Sequence, residues 1–320
     1  MKVIKIIPRG YCHGVVKALN KVVETVNDPK IKQPIYILGD IVHNKNITNA
    51  FSDIGVITLN NKTRKEMIDS INEGTVIVTA HGIDYHLIEA AKNKGLNVVD
   101  ATCSDVYKTH EIVFNKINDG YQVIYIGKKN HPEPEGVIGI DPKNIFLVEN
   151  KKDIDALRLI NNKLCIINQT TMSKWDVQEL MNYAQKKYQN IEIINEICSA
   201  TSERQEAVYH FSKEVELIYV VGDQDSNNSK KLVEVAQKNA QAILINDVYD
   251  IDLNYLIDRK IKIVGVTAGA STPSVITKQV IEYLEQLDLM DETTYKFPPK
   301  IDNKKIVPRI KMWYNIRNTN

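Results

Sequence analysis

Four cysteines stand in this chain of 320 residues, at Cys12, Cys103, Cys165 and Cys198. None lies at CxxC spacing, so a zinc ribbon or a thioredoxin-type site has no support, and a disulfide framework is foreign to a long intracellular chain with so few. Chemistry by these thiols requires that they meet in space. Three of them are nearly evenly placed, with 91 residues from Cys12 to Cys103 and 95 from Cys103 to Cys198. Each of the three falls between a β-branched run and a helical pattern. Cys165 sits inside the apolar run KLCIIN and reads as core. Any one of the others alone would also read as a buried core thiol, but three at matching junctions read as a ligand set. Iron–sulfur clusters normally take four thiolates. Three leave one iron open to a substrate oxygen, by the same logic as the open position of a catalytic zinc.

Polar loops recur at similar distances behind each cysteine. They carry His43 in VHN and His81 in AHG, then His131 in NHPEPEG and Thr170 in NQTT, then Ser226 in DSNNS and Ser271 in TAGAS. The offsets are 31 and 69, then 28 and 67, then 28 and 73. Histidines in such loops donate to phosphate oxygens and gain charge beside them, although the same residues suit ordinary packing. His86, His110 and His210 lie on helical patterns and read as surface or core, while His13, next to Cys12, fits either role. DSNNS and TAGAS place hydroxyl and amide donors ahead of helices, where free N–H groups bind phosphate and where Ser and Asn also serve as plain caps. The loop HPEPEG offers two carboxylates, Glu133 and Glu135, stiffened by Pro132 and Pro134. Either, enclosed and with a raised pKa, could give a proton to a departing oxygen; the alternative is an exposed acidic loop. No P-loop or dinucleotide glycine fingerprint is present, so neither ATP nor NAD is indicated.

The elements that must position these residues are legible as alternation. Val- and Ile-rich runs (VIKII, PIYIL, TVIVTA, LNVVDA, YQVIYIG, KLCIIN, IEIINEI, ELIYVVG, QAILIN, IKIVGVTA) suit strands buried on both faces of parallel sheets. Helical patterns such as VVKALNKVVETV, VYKTHEIVFNKI, WDVQELMNYAQKKY and SVITKQVIEYLEQL lie between them. The expected fold is α/β, with three similar units at 1–102, 103–197 and 198–290 and a tail at 291–320. Ligands of open α/β sheets bind beyond the carboxyl ends of the strands, so three such ends facing one centre would gather three thiolates. A net charge of +1 gives no pull toward nucleic acid or membrane. The opening MKVIKIIPRG reads as a buried strand rather than a signal peptide, and no apolar stretch reaches the length of a membrane span, so a cytoplasmic location is expected. The tail carries seven basic residues from Lys296 onward against Asp302, and reads as a solvated or strapping extension.

PRGYCHGV, VHN, TAHG, DATC, HPEPEG, NQTT, EIC with Thr201 and RQEAV, SNNS and TAGAS occur in this order. Together, from Lys2 to about Leu287, they closely resemble the 4-hydroxy-3-methylbut-2-enyl diphosphate reductase family, the last step of the non-mevalonate isoprenoid route. The resemblance implies three α/β domains in pseudo-threefold arrangement around a central 4Fe–4S cluster held by Cys12, Cys103 and Cys198. It implies that His43, His81, Ser226, Asn228 and Ser271 hold the diphosphate, that His131, Thr170 and Thr201 line the site near the substrate hydroxyl, and that Glu133 is the proton donor with Glu135 in support. It further implies two-electron reductive dehydroxylation to isopentenyl and dimethylallyl diphosphate, with electrons from a ferredoxin or flavodoxin. Two positions depart from the family pattern. Asn227 stands where many relatives have Ser, and Ser104 where many have Pro, which would suit a first helical turn; altered contacts and a slacker helix start are expected. A dehydratase using the open iron without reduction, a cluster carrier and a structural zinc protein are the competing readings.

Overall fold

The computed structural model describes residues 1–60, 62–160 and 162–307. Its strands form three four-stranded sheets, every pairing parallel. The first sheet is built by β2 (Ile35–Leu38), β3 (Val56–Leu59), β4 (Thr75–Val78) and β5 (Asn97–Asp100), joined through helices α2 (Lys45–Ser52), α3 (Arg64–Ser70) and α4 (Tyr85–Asn93). The second holds β6 (Gln122–Ile126), β7 (Ile145–Val148), β8 (Leu164–Asn168) and β9 (Glu192–Ile193), joined through α6 (Pro132–Ile138), α7 (Lys151–Ala156) and α8 (Lys174–Lys187). The third holds β10 (Leu217–Val221), β11 (Gln241–Ile245) and β12 (Ile263–Ala268), with α10 (Asn227–Ala236) and α11 (Leu253–Asp258) between them, then α12 (Ser274–Gln286). Helices α1 (His13–Asn27), α5 (Ser104–Asn118) and α9 (Ser199–Phe211) each lead into a sheet.

The strand orders are β3-β2-β4-β5, β7-β6-β8-β9 and β11-β10-β12-β1. Written from the first strand of each unit, all three are the same order, 2-1-3-4. The fourth strand of the third sheet is β1 (Lys2–Lys5), the start of the chain, which pairs with β12 from Lys2 opposite Ile263 to Lys5 opposite Val266. Lys2–Lys5, at the start of the segment 1–102, thus complete the sheet of the 198–290 segment, whose β12 would otherwise lack its outer partner. The segment is a strand as expected but not a buried one, with Lys2 and Lys5 exposed and Val3 and Ile4 half-buried at the sheet edge; α1 packs on the first sheet, with Val15, Ala18, Leu19 and Val22 in one core with Ile35, Ile37 and Ile77.

The central strands β4, β6, β8 and β10 are buried at every residue, which explains their continuous β-branched composition. In a 2-1-3-4 sheet the chain turns one way after the first strand and the other way after the third, so a crevice opens between the carboxyl ends of those two strands. Each of the six polar loops leaves one of them.

Residues 291–307 strap the ring. Tyr249 Oη donates to Pro298 O and Gln279 Nε2 to Pro299 O in the third unit, while Tyr11 Oη donates to Ile306 O, and Ile306 and Val307 join the first core. Of the basic tail, Arg309, Lys311 and Arg317 lie outside the described residues.

Candidate active site

Each cysteine caps the helix that leaves a fourth strand: Cys12 caps α1 after β1, Cys103 caps α5 after β5, and Cys198 caps α9 after β9. One hydrogen bond repeats at all three. The cysteine N–H donates to the carbonyl two residues beyond the third strand of the sheet being left, Cys12 to Ala270 at 3.2 Å, Cys103 to Ala80 at 3.0 Å and Cys198 to Thr170 at 3.1 Å. The thiols are half-buried and line one pocket. Val15 N–H donates to Cys12 Sγ at 3.5 Å, and Cys198 Sγ bonds the Thr201 hydroxyl at 3.1 Å. Burial pushes the Cys103 thiol up and the Cys198 thiol to about 11, so both stay protonated until a metal displaces the proton. The helix N-termini then favour the thiolates.

Gly14 explains how three sulfurs share the space. A Cβ there would overlap Cys103 Sγ and come within 3.9 Å of Cys12 Sγ. The glycine keeps open a cradle bordered by two of the three thiols. Three soft donors around such a cradle fit an iron–sulfur cluster better than a hard cation.

The other end of the pocket is built from nitrogen and hydroxyl donors. The His43 and His81 rings stack with centroids 4.3 Å apart, and His131 stands edge-on to both at 5.4 and 5.3 Å. His131 Nδ1 accepts from Glu133 N–H at 3.1 Å, which leaves Nε2 as the N–H of the neutral ring. Burial drives all three imidazoles below their ordinary range, His131 to about 3. The buried Arg64 guanidinium acts in the same direction. Arg64 itself is fixed by Gly82 O at 2.9 Å and the Thr79 hydroxyl at 3.2 Å. It holds the His81 loop and adds positive potential behind the rings. Ser226 caps α10, Ser271 Oγ donates to His43 O at 2.9 Å, and the buried Asn228 side chain completes the wall. His43 Nε2, His81 Nδ1 and both polar atoms of Asn228 are buried with no protein partner. Such atoms call for a polar ligand that can hydrogen-bond them.

The same pocket is lined by Glu133, 1% exposed. Its carboxylate accepts from Thr170 N–H at 2.8 Å and from the Thr170 hydroxyl at 3.1 Å. Burial raises its pKa to about 7 against these two bonds and the nearby Tyr125 hydroxyl, which lower it. Glu135, two residues on, points to solvent. Twelve of the thirteen residues expected from the sequence, from Cys12 to Ser271, line this one pocket, and Glu135 does not.

Comparison with known proteins decides the family. The LytB protein model matches residues 3–285. The chain belongs to the LytB protein family. A relative from Geobacillus sp. (strain WCH70), 49% identical over 97% of this chain and 99% of its own length, is named 4-hydroxy-3-methylbut-2-enyl diphosphate reductase. One from Bacillus thuringiensis (strain Al Hakam), 49% identical over 98% of this chain and 99% of its own length, carries the same name. The solved E-1-hydroxy-2-methyl-but-2-enyl-4-diphosphate reductase of Plasmodium falciparum superposes with a TM-score of 0.83 at 34% identity, covering 90% of this chain and 89% of that one. The resemblance carried by the motifs and the α/β fold of three parallel-sheet units are borne out.

The pocket also draws in residues that the sequence did not single out. Asp105 and Gly14 line the pocket, and Tyr125 and Arg64 stand behind it. Gly14 was present in PRGYCHGV and Asp105 beside DATC, but neither residue type announces a role alone. Tyr125 and Arg64 reach the site only across the fold. The two departures from the family pattern are resolved structurally. Asn227 donates to Thr171 O at 3.1 Å, tying the third unit to the second. Helix α5 starts at Ser104 directly after its Cys103 cap, with Asp105 in its first turn, so the start is regular without proline. His13 faces Asp105 at 3.3 Å beside Cys103. His110 is half-buried and His210 pairs with Glu214 at the surface. Among the described residues, no helix is long and apolar enough to cross a membrane.

Proposed function

We propose that this chain catalyses the reductive dehydroxylation of 4-hydroxy-3-methylbut-2-enyl diphosphate to isopentenyl and dimethylallyl diphosphate, in the cytoplasm, with electrons from a ferredoxin or flavodoxin. The observation that carries the reading is one pocket holding three convergent thiols, a buried glutamic acid that titrates near neutrality, and a wall of polar atoms without protein partners.

Two electrons and two protons convert the substrate C–OH into C–H and water. A 4Fe–4S cluster on Cys12, Cys103 and Cys198 would supply the electrons and a Lewis-acidic iron. His43, His81, Ser226, Asn228 and Ser271 bind the diphosphate, whose charge draws protons onto imidazoles that are neutral in the free protein. This anchors the hydrocarbon part among Val15, Val42 and Ala80, away from bulk water. His131 and Thr201 bound the hydroxyl end. Glu133 enters protonated below about pH 7, and Thr170, bonded to it through both N–H and Oγ, holds the carboxyl toward the departing oxygen. Protonation of the allylic fragment at either end gives the two products.

Anaerobic turnover by cluster-loaded protein with reduced viologen dye tests the proposal. Dye oxidation with both five-carbon diphosphates formed is the expected result. Protein that carries iron and sulfide yet leaves substrate and dye unchanged would contradict it, and water loss without dye oxidation would point to a dehydratase.

A further inference from the structure

The RQEAV segment of α9 is used by none of the roles above, yet its first two residues are buried in the middle of the ring. Gln205 accepts from Lys174 N–H and donates to Met172 O, both at 3.0 Å, joining α9 to the loop that carries Thr170. Arg204 turns the other way. Its guanidinium donates to Ala200 O, two residues after Cys198, and to Gly10 O, two residues before Cys12, each at 2.7 Å. Thus one side chain clamps the backbone beside two of the three thiols, although they are 186 residues apart in the chain.

Arg204 is 4% exposed. Two carbonyls accept from its terminal nitrogens but do not neutralise its charge, and Nε has no protein partner. A buried cation without a counter-charge is strongly disfavoured. Burial pulls the guanidinium below its ordinary range, and the leading charges that oppose this are those of Cys12 and Cys198, ahead of the exposed Glu203. Held by its bonds to Ala200 O and Gly10 O beside Cys198 and Cys12, the guanidinium acquires a counter-charge only when those thiols ionise on binding a metal group.

We propose that Arg204 is a positioning residue that holds Cys12 and Cys198 at their mutual spacing and raises the reduction potential of the iron–sulfur cluster they carry. The inference rests on the reading of the three cysteines as cluster ligands. The sign follows from charge. A 4Fe–4S core of charge +2 with three thiolates carries −1, and uptake of one electron from a donor makes it −2. A fixed positive charge at close range favours the more negative form, and net charge is among the determinants of cluster potential.

The test is an anaerobic redox titration of reconstituted holoprotein, followed by the electron-spin resonance of the reduced cluster, for wild type, R204Q and R204K. Gln keeps a donor for Gly10 O and loses the charge; Lys keeps the charge and loses the fork. R204Q is expected to retain its iron and sulfide while its one-electron reduction equilibrium falls at least tenfold, a shift of about 59 mV to lower potential, with R204K at less than half that shift. A wild-type potential in R204Q, or an equal drop in both variants, would overturn the electrostatic role. If R204Q yields no folded holoprotein, R204K decides: loss of the cluster or a full tenfold shift there assigns Arg204 a purely structural part. Wild-type protein that takes up no iron and sulfide would instead sink the cluster reading itself, a separate outcome.

Discussion

Two carboxylates in HPEPEG were equivalent candidates on sequence grounds, and helix geometry separates them. Positions two apart on α6 face opposite ways, so Glu133 is buried while Glu135 is exposed. Burial is what makes Glu133 an acid at neutral pH. Its folded pKa of about 7 lies above the 4.5 of an ordinary glutamate, so folding favours its protonated form. That contribution to stability is complete below pH 4.5 and is lost as pH rises to about 7. E133Q removes the penalty while preserving an acceptor for Thr170 N–H. Urea midpoints should place E133Q above wild type at pH 8 by roughly 3 kcal/mol, with a gap of less than about 1 kcal/mol at pH 5. In the same variant turnover should nearly vanish with the cluster intact, and wild-type kcat/KM should fall above about pH 7. A variant with normal turnover, or with no stability gain at pH 8, would remove Glu133 from its role. Tyr125 was illegible at this scale, because a tyrosine inside YQVIYIG reads only as strand packing until β6 is seen to lie beneath Glu133.

Short elements were the least legible. VITL and IFLV, the edge strands β3 and β7, carry too little pattern in four residues at a sheet edge to stand out as strands. IEIINEI was expected as a full strand, but β9 spans only Glu192–Ile193. The chain then peels off, with Ile194 N–H on Ile166 O at 2.9 Å and Glu196 N–H on the Asn168 side chain at 2.9 Å. The peeled segment delivers Cys198 to the pocket, so function overrides β propensity there. Long amphipathic helices were read well: α1, α5, α8 and α12 start and end within about two residues of their patterns, the usual uncertainty of such boundaries. At the element scale α1 has its tightest demand at its second residue. G14A should fold, because Ala is a good helix former, yet its methyl would occupy the space of Cys103 Sγ. Anaerobically purified G14A should carry less than about a tenth of the wild-type iron and sulfide, the discrimination a misplaced ligand typically causes. Full cluster content in G14A would show that the cradle lies elsewhere.

At the scale of the molecule, three copies of one topology close into a ring, and the two ends of the described chain complete it. Cysteine spacing of 91 and 95 residues made the threefold repeat visible. The closure was hidden, because nothing in VIKII says which of three sheets it will join; that is settled by β12 needing a fourth-strand partner. Met1 N lies 3.4 Å from Leu287 O, and the 291–307 strap runs from the third core to the first. The ring places Cys12 at the site only because β1 belongs to the third sheet. Pro8–Gly10 then carries the chain across to α1 in the first unit. The central claim is that this geometry brings one thiol from each junction to a single four-iron cluster, with Cys165 as core. The most direct measurement is iron and acid-labile sulfide per chain in anaerobically reconstituted wild type and in C12S, C103S, C198S and C165S. The account predicts about four of each in wild type and C165S, the content of one 4Fe–4S cluster, with the cluster lost or degraded in the other three. Iron without sulfide, or a C165S protein that loses its cluster while any of the other three keeps it whole, would contradict it.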